Sequence, residues 1–163
     1  MAKDKKHEHE DAETIREKYS ELKKKYNLPE FEELNEEFDI VKVDSNSETM
    51  LRDIRKSMMA KFSSILQFTE LALNPANASM FYMYLVKGLN DKEKLSELFN
   101  QLGSIEIMSY ERDVEYDEKK EAEFIIGTFK KWKQMQPDVR KMILSLKENW
   151  NKKSTEKSKS YFG

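Results

Sequence analysis

Cysteine is absent from the 163 residues, and proline, glycine and histidine are scarce at three, four and two. Without cysteine there is no disulfide, no thiolate nucleophile and no thiolate-ligated metal. So few glycines and prolines leave little material for the tight turns that join β-hairpins. Long apolar runs are missing too. The most apolar stretch, residues 80–86, is closed by Lys87, whereas a membrane-spanning helix needs about 20 apolar residues. The charged amino-terminal residues lack the apolar centre of a secretory signal, so the expected location is cytoplasmic.

The same scarcities remove most ready-made chemistry. His7 and His9 stand beside Glu8, Glu10 and Asp11 in a highly charged stretch, where nothing would hold imidazoles around a metal. The rest of the chain has neither His nor Cys, which excludes the Ser-His-Asp triad, structural zinc sites and the Glu-x-x-His di-iron pattern of helical bundles. Gly88, Gly103, Gly127 and Gly163 fit neither Gly-x-Gly-x-x-Gly nor the Gly-x4-Gly-Lys-Ser/Thr phosphate loop. Asp113, Glu115 and Asp117 have the spacing of the first ligands of a calcium loop. That match fails at Glu118, where a turn-forming Gly is needed, and at Phe124, where a bidentate Glu is needed. The expectation is a chain with no metal and no cofactor, and more readily a non-enzyme than an enzyme.

Charge and helical periodicity are what the sequence has in quantity. Charged residues make up 37% of the chain and nearly cancel, for a net charge of −2. They are unevenly spread: residues 1–50 hold 9 basic against 15 acidic side chains, residues 51–117 hold 8 against 10, and residues 118–163 hold 12 against 6. Such a gradient serves either an anionic partner at the basic end or attraction within the fold.

Apolar residues recur at three- and four-residue steps through most of the chain, which is the helical period. The longest uninterrupted case is residues 47–73, with Leu51, Ile54, Met58, Phe62, Ile65 and Ala72 on the stripe. Ser45 and Glu48 in capping-box spacing mark its start, and Asn74-Pro75 marks its end. Ile15, Tyr19, Leu22 and Tyr26 form a narrower stripe before it, and Phe31, Leu34 and Phe38 another after Pro29. Residues 39–44 read as an extended connector. Residues 80–86 are apolar on every side and read as the most enclosed helix, with Gly88 at its end. Asn90 and Glu93 restart the chain, Gly103 closes the next helix, residues 104–112 form another, and Gln136-Pro137-Asp138 divides the last two. Val139, Met142, Ile143, Leu146 and Trp150 form the final stripe.

The predicted architecture is therefore all-α: a single-domain irregular helical bundle of about seven helices around a long central helix, residues 47–73. Residues 1–11 and 152–163, charged and poor in apolar content, are expected to be disordered tails flanking a helical domain at 12–151.

Three functions fit that architecture. The leading one is a cytosolic interaction or scaffold module that binds a protein partner, with no catalytic site. Met58, Met59 and Phe68 would form its surface, because adjacent methionines on a helix do not both face one core. The alternative is a nucleic-acid or ribonucleoprotein accessory in which Lys130, Lys131, Lys133, Arg140, Lys141 and Lys147 contact phosphate, with Trp132 and Trp150 nearby. The third is small-ligand or lipid binding in a pocket lined by Phe81, Tyr82, Tyr84 and neighbouring methionines.

Overall fold

The computed structural model describes the backbone of residues 2–75, 79–86, 89 and 91–160, and the side chains of 14–152 within those ranges except Tyr84. Most of the stretches expected as tails, together with His7, His9, Asn77, Gly88 and Asn90, lie outside the residues whose side chains are described. Six α-helices make up the fold, with no strand among the described residues: α1 (Ala2–Tyr26), α2 (Phe31–Phe38), α3 (Met50–Leu73), α4 (Met80–Val86), α5 (Lys92–Val114) and α6 (Glu118–Ser160). No described helix is long and apolar enough to cross a membrane.

Six helices replace the expected seven or so because two breakers do not break. Gly103 lies inside α5, where it costs about 1 kcal/mol relative to Ala. Leu98, Leu102 and Ile105 around it are buried, and their packing outweighs that cost. Pro137 lies inside α6 at an exposed position, so its ring and missing N–H fall on the solvent side of the helix rather than in a core.

Local chemistry also departs from the sequence reading at the start of α3 and just after α2. Helix α3 starts at Met50, not at residue 47: the Ser47 hydroxyl accepts from Thr49 N (3.1 Å) and donates to Asp53 (2.5 Å), and Thr49 O opens the helical ladder. Residues Ile40–Lys42 form a 3-10 turn in place of the extended connector. Asp39, at φ 56°, turns the chain there, and the Asn35 side chain accepts from Val41 N. Helices α5 and α6 are capped by Asp91 and Asp117, whose carboxylates accept from Lys94 N and Lys120 N.

By its contacts the chain divides into two compact units. Unit 1 comprises residues 1–62 and 105–131, and unit 2 comprises 63–104 and 132–163. The boundaries therefore fall within α3, α5 and α6 rather than at linkers. Eleven of the twelve largest fully buried side chains are in unit 1, and only Leu102 is in unit 2. Unit 1 is thus the better sealed of the two.

In unit 1 the α1 stripe docks through Ile15 and Tyr19, both buried, and the Tyr19 hydroxyl donates to Pro29 O at 2.8 Å. Phe38 of α2 meets the rings of Phe62 and Phe129 at 5.4 and 6.3 Å. The α2 carboxylates Glu32 and Glu37 pair with Arg16 and Lys61.

At the centre of unit 1 lies a fully buried guanidinium. Arg55 of α3 donates to Glu121 of α6 (2.8 Å), to the Ser109 hydroxyl of α5 (2.6 Å) and to Asp113 of α5 (2.5 Å). Arg55 and Glu121 are each about 1% exposed, so this pair has left water almost completely. Burial lowers the Arg55 pKa, but the hydrogen bonds it donates to Asp113 and Glu121, with their negative charges, outweigh that and raise the pKa overall. Arg52 lies alongside, with Nε 3.6 Å from Glu121 and its guanidinium 4.9 Å from the Tyr116 ring centre.

Removing one member of a buried ion pair strands the other, at about 3–5 kcal/mol, whereas an apolar replacement of both is far milder. Arg55→Met and Glu121→Leu are each expected to cost about that much in urea unfolding, and the double variant less than either. A double variant that loses the sum of the two would show that the residues do not act as a pair. Asp113 supplies a pH test. The Arg55 hydrogen bond holds its carboxyl below the ordinary aspartate value. Its contribution is therefore complete above the unfolded pKa, about 3.9, and is lost as the pH falls through the depressed folded value. The stability gap between the wild type and Asp113→Asn should be widest at neutral pH and close progressively below about pH 4.

Candidate functional site

Helix α4 contradicts the expectation drawn from its composition. A helix apolar on every side is expected to be buried. Instead Met80 is 72%, Phe81 49% and Met83 52% exposed, which makes α4 the most open apolar element described. Its seven residues make just under two turns, too few to be surrounded by neighbours on every side. Two faces are used within unit 2. Phe81 sets its ring edge-on to Trp150 at 5.3 Å, Asn149 donates to Leu85 O at 3.0 Å, and Tyr82 faces Phe68 at 6.4 Å.

The remaining face borders a groove of about 570 Å³. Ala72 and Leu73 at the end of α3 form one wall, Val86 and Leu89 lie deeper, and Met80 and Met83 stand at the rim. Pro75 stops α3 there, as its fixed φ and missing N–H require, so the groove exists because that helix ends where it does. Among the described residues, Lys92 is the one charged lining residue. The described lining can desolvate an apolar side chain. Methionine thioethers at the rim are flexible and polarizable, which suits contact with differing shapes.

The residues singled out from the sequence are distributed differently. Met58 and Met59 are both buried in unit 1, Met59 at 8% exposure, because buried positions from Met50 to Phe62 cover about half the circumference of α3. Neither presents a docking surface. Phe68 is half-buried in unit 2 against Tyr82. Of the pocket expected along Phe81, Tyr82, Tyr84 and neighbouring methionines, Met80 and Met83 line the groove, Phe81 and Tyr82 turn to neighbouring helices, and the Tyr84 side chain lies outside the described residues.

Lys130, Lys131, Lys133, Arg140, Lys141 and Lys147 are all exposed on α6, the first two in unit 1 and the other four in unit 2. Lys141 borders a recess of about 250 Å³ in which Asp91 and Asp138 balance the charges of Lys141 and Lys94. Trp132 is core, as its stripe implied, but Trp150 is 44% exposed.

The acidic triplet at 113–117 is engaged elsewhere. Asp113 is held by Arg55 and Asp117 by its cap on α6, and no cluster of three metal-ligating side chains occurs among the described residues. Glu118 accepts from Lys25 at 2.8 Å and Tyr26 at 2.6 Å, and these bonds keep its carboxyl below the usual range.

A rim substitution can test whether the groove takes apolar ligands in solution. Met80 and Met83 touch mostly water, so Met80→Asp/Met83→Asp should leave helicity unchanged. Binding of an apolar reporter dye is expected to fall about tenfold, since each lost methionine contact is worth of order 1 kcal/mol or more. Unaltered dye binding would place the dye elsewhere. Compared with protein families, with curated proteins and with solved structures, the chain matches none.

Proposed function

We propose that the chain is a cytosolic, non-enzymatic helical interaction module whose α4 groove takes an apolar segment of a protein partner. The observation that carries this reading is the exposure of Met80, Phe81 and Met83 beside a groove of about 570 Å³ with a single charged residue in its described lining. Contiguous exposed apolar surface on a folded chain favours association, because covering it removes ordered water and gains about 25 cal/mol per Å².

Concavity favours a protein over a bilayer. A side chain projecting from a partner helix fills a groove of this size, whereas a flat lipid surface meets only its rim. The described lining disfavours nucleic acid, whose binding is dominated by phosphate, because Lys92 is the one cation among those residues.

A photo-crosslinker placed at Met83 of the full chain in its native cell provides the test. Adducts to an apolar segment of a protein are expected, lost when Met80→Asp is added and absent when the probe replaces exposed Glu33 in unit 1. Adducts only to lipid or nucleic acid, or the same proteins from both positions, would overturn the reading.

A further inference from the structure

With no cysteine in the chain, the methionine thioethers are its only sulfurs. Eight of the nine methionines have described side chains, and they fall into two groups. Met50, Met58, Met59, Met135 and Met142 are buried, at 8% exposure or less. Met80 and Met83 are 72% and 52% exposed, and Met108 in unit 1 follows at 37%. The two most exposed thioethers are thus the pair at the rim of the α4 groove. Standing three residues apart on one short helix, they share a face. An oxidant dissolved in water reaches these two sulfurs before the buried five.

We propose that Met80 and Met83 are a reversible oxidation site that closes the α4 groove to apolar segments. The closing rests on the reading of that groove as a site for a protein partner, whereas the selectivity of oxidation does not. The oxidant is a hydroperoxide. A lone pair of the thioether sulfur attacks the outer peroxide oxygen, the S–O bond forms as the O–O bond breaks, and the remainder leaves as an alcohol or, from hydrogen peroxide, as water. Sulfur loses two electrons and the peroxide gains them. Reversal needs a dithiol: the sulfoxide oxygen leaves as water with the two thiol hydrogens, and the dithiol becomes a disulfide.

Oxidation changes what the rim can bind. A sulfoxide oxygen is a hydrogen-bond acceptor, and covering it with an apolar segment removes its water without supplying a donor. Apart from Lys92, the described lining side chains are apolar and offer no donor either. The same step turns a flexible apolar side chain into a polar one, so the rim loses the adaptability that suits it to apolar contact.

The test uses the full chain, hydrogen peroxide as the oxidant and an apolar reporter dye as the probe. Peptide-resolved mass spectrometry should show Met80 and Met83 gaining oxygen at least about tenfold faster than the five buried methionines. Dye affinity is expected to fall about tenfold in step with that gain, since covered polar groups without partners weaken binding. It should return on treatment with a methionine sulfoxide reductase and a dithiol. Met108→Leu should keep the whole response. Met80→Leu/Met83→Leu, whatever its own starting affinity, should show no peroxide-dependent change. Oxidation of Met80 and Met83 no faster than of the buried five, or dye binding that survives their full oxidation, would overturn the proposal. An equal loss in the Met80→Leu/Met83→Leu chain would do the same, by tracing the effect to another residue. Dye that does not bind the untreated chain, or that binds it regardless of Met80→Asp/Met83→Asp, would instead sink the groove reading and the closing with it, a failure visible before any peroxide is added.

Discussion

Unit 1 depends on one charge that has been taken out of water. The Arg55 guanidinium is paid for by Glu121, Asp113 and Ser109, which come from two other helices, so α3, α5 and α6 must meet in one register for any of them to be satisfied. An apolar contact tolerates a slide of a turn, but a planar donor fork facing a carboxylate does not. Buried ion pairs are weak contributors to stability as such, and their best-attested use is in fixing register. The aromatic contacts of Phe38 with Phe62 and Phe129, and the docking of α1 through Ile15 and Tyr19, are laid around that fixed point.

Unit 2 has no equivalent anchor among its described residues. Its core is made by Leu95, Leu98, Leu102, Trp132, Met135 and Val139, and much of its remaining apolar material faces outward. The same contrast appears in charge, with unit 1 acidic by six and unit 2 basic by four when the sequence is divided between them. One part of the chain thus spends its apolar residues on its own interior, and the other leaves them available. The groove proposed for a partner lies in the second part for that reason.

Helix formation was legible residue by residue. The stripes at Ile15–Tyr26, Phe31–Phe38 and Leu51–Phe62 form helices with those residues inward in whole or in large part, because positions three and four apart share a face whatever the rest of the chain does. Breakers were read less well. A proline and a glycine weaken a helix by amounts that packing can outweigh, and the sequence does not state how much packing each receives. The site was less legible still. Met59 looked exposed because its neighbour Met58 looked buried, but α3 is covered over half its circumference. Residues 80–86 looked enclosed for want of a polar face, yet the helix is too short and too peripheral for enclosure. Arg55 drew no notice, since an arginine on a helix is ordinarily solvated and its partners lie more than 50 residues away.

By itself the sequence determined the all-α class, the stretches that coil into helices, and the absence of cysteine chemistry, since each follows from residue identity or from neighbours within one turn. Only the tertiary structure decided that α5 and α6 run through Gly103 and Pro137, that Arg55 is buried, and that Met80, Met83 and Ile143 are left uncovered. Exposure and ion pairing are set by helices distant in sequence, and a local period carries no record of which of them arrive.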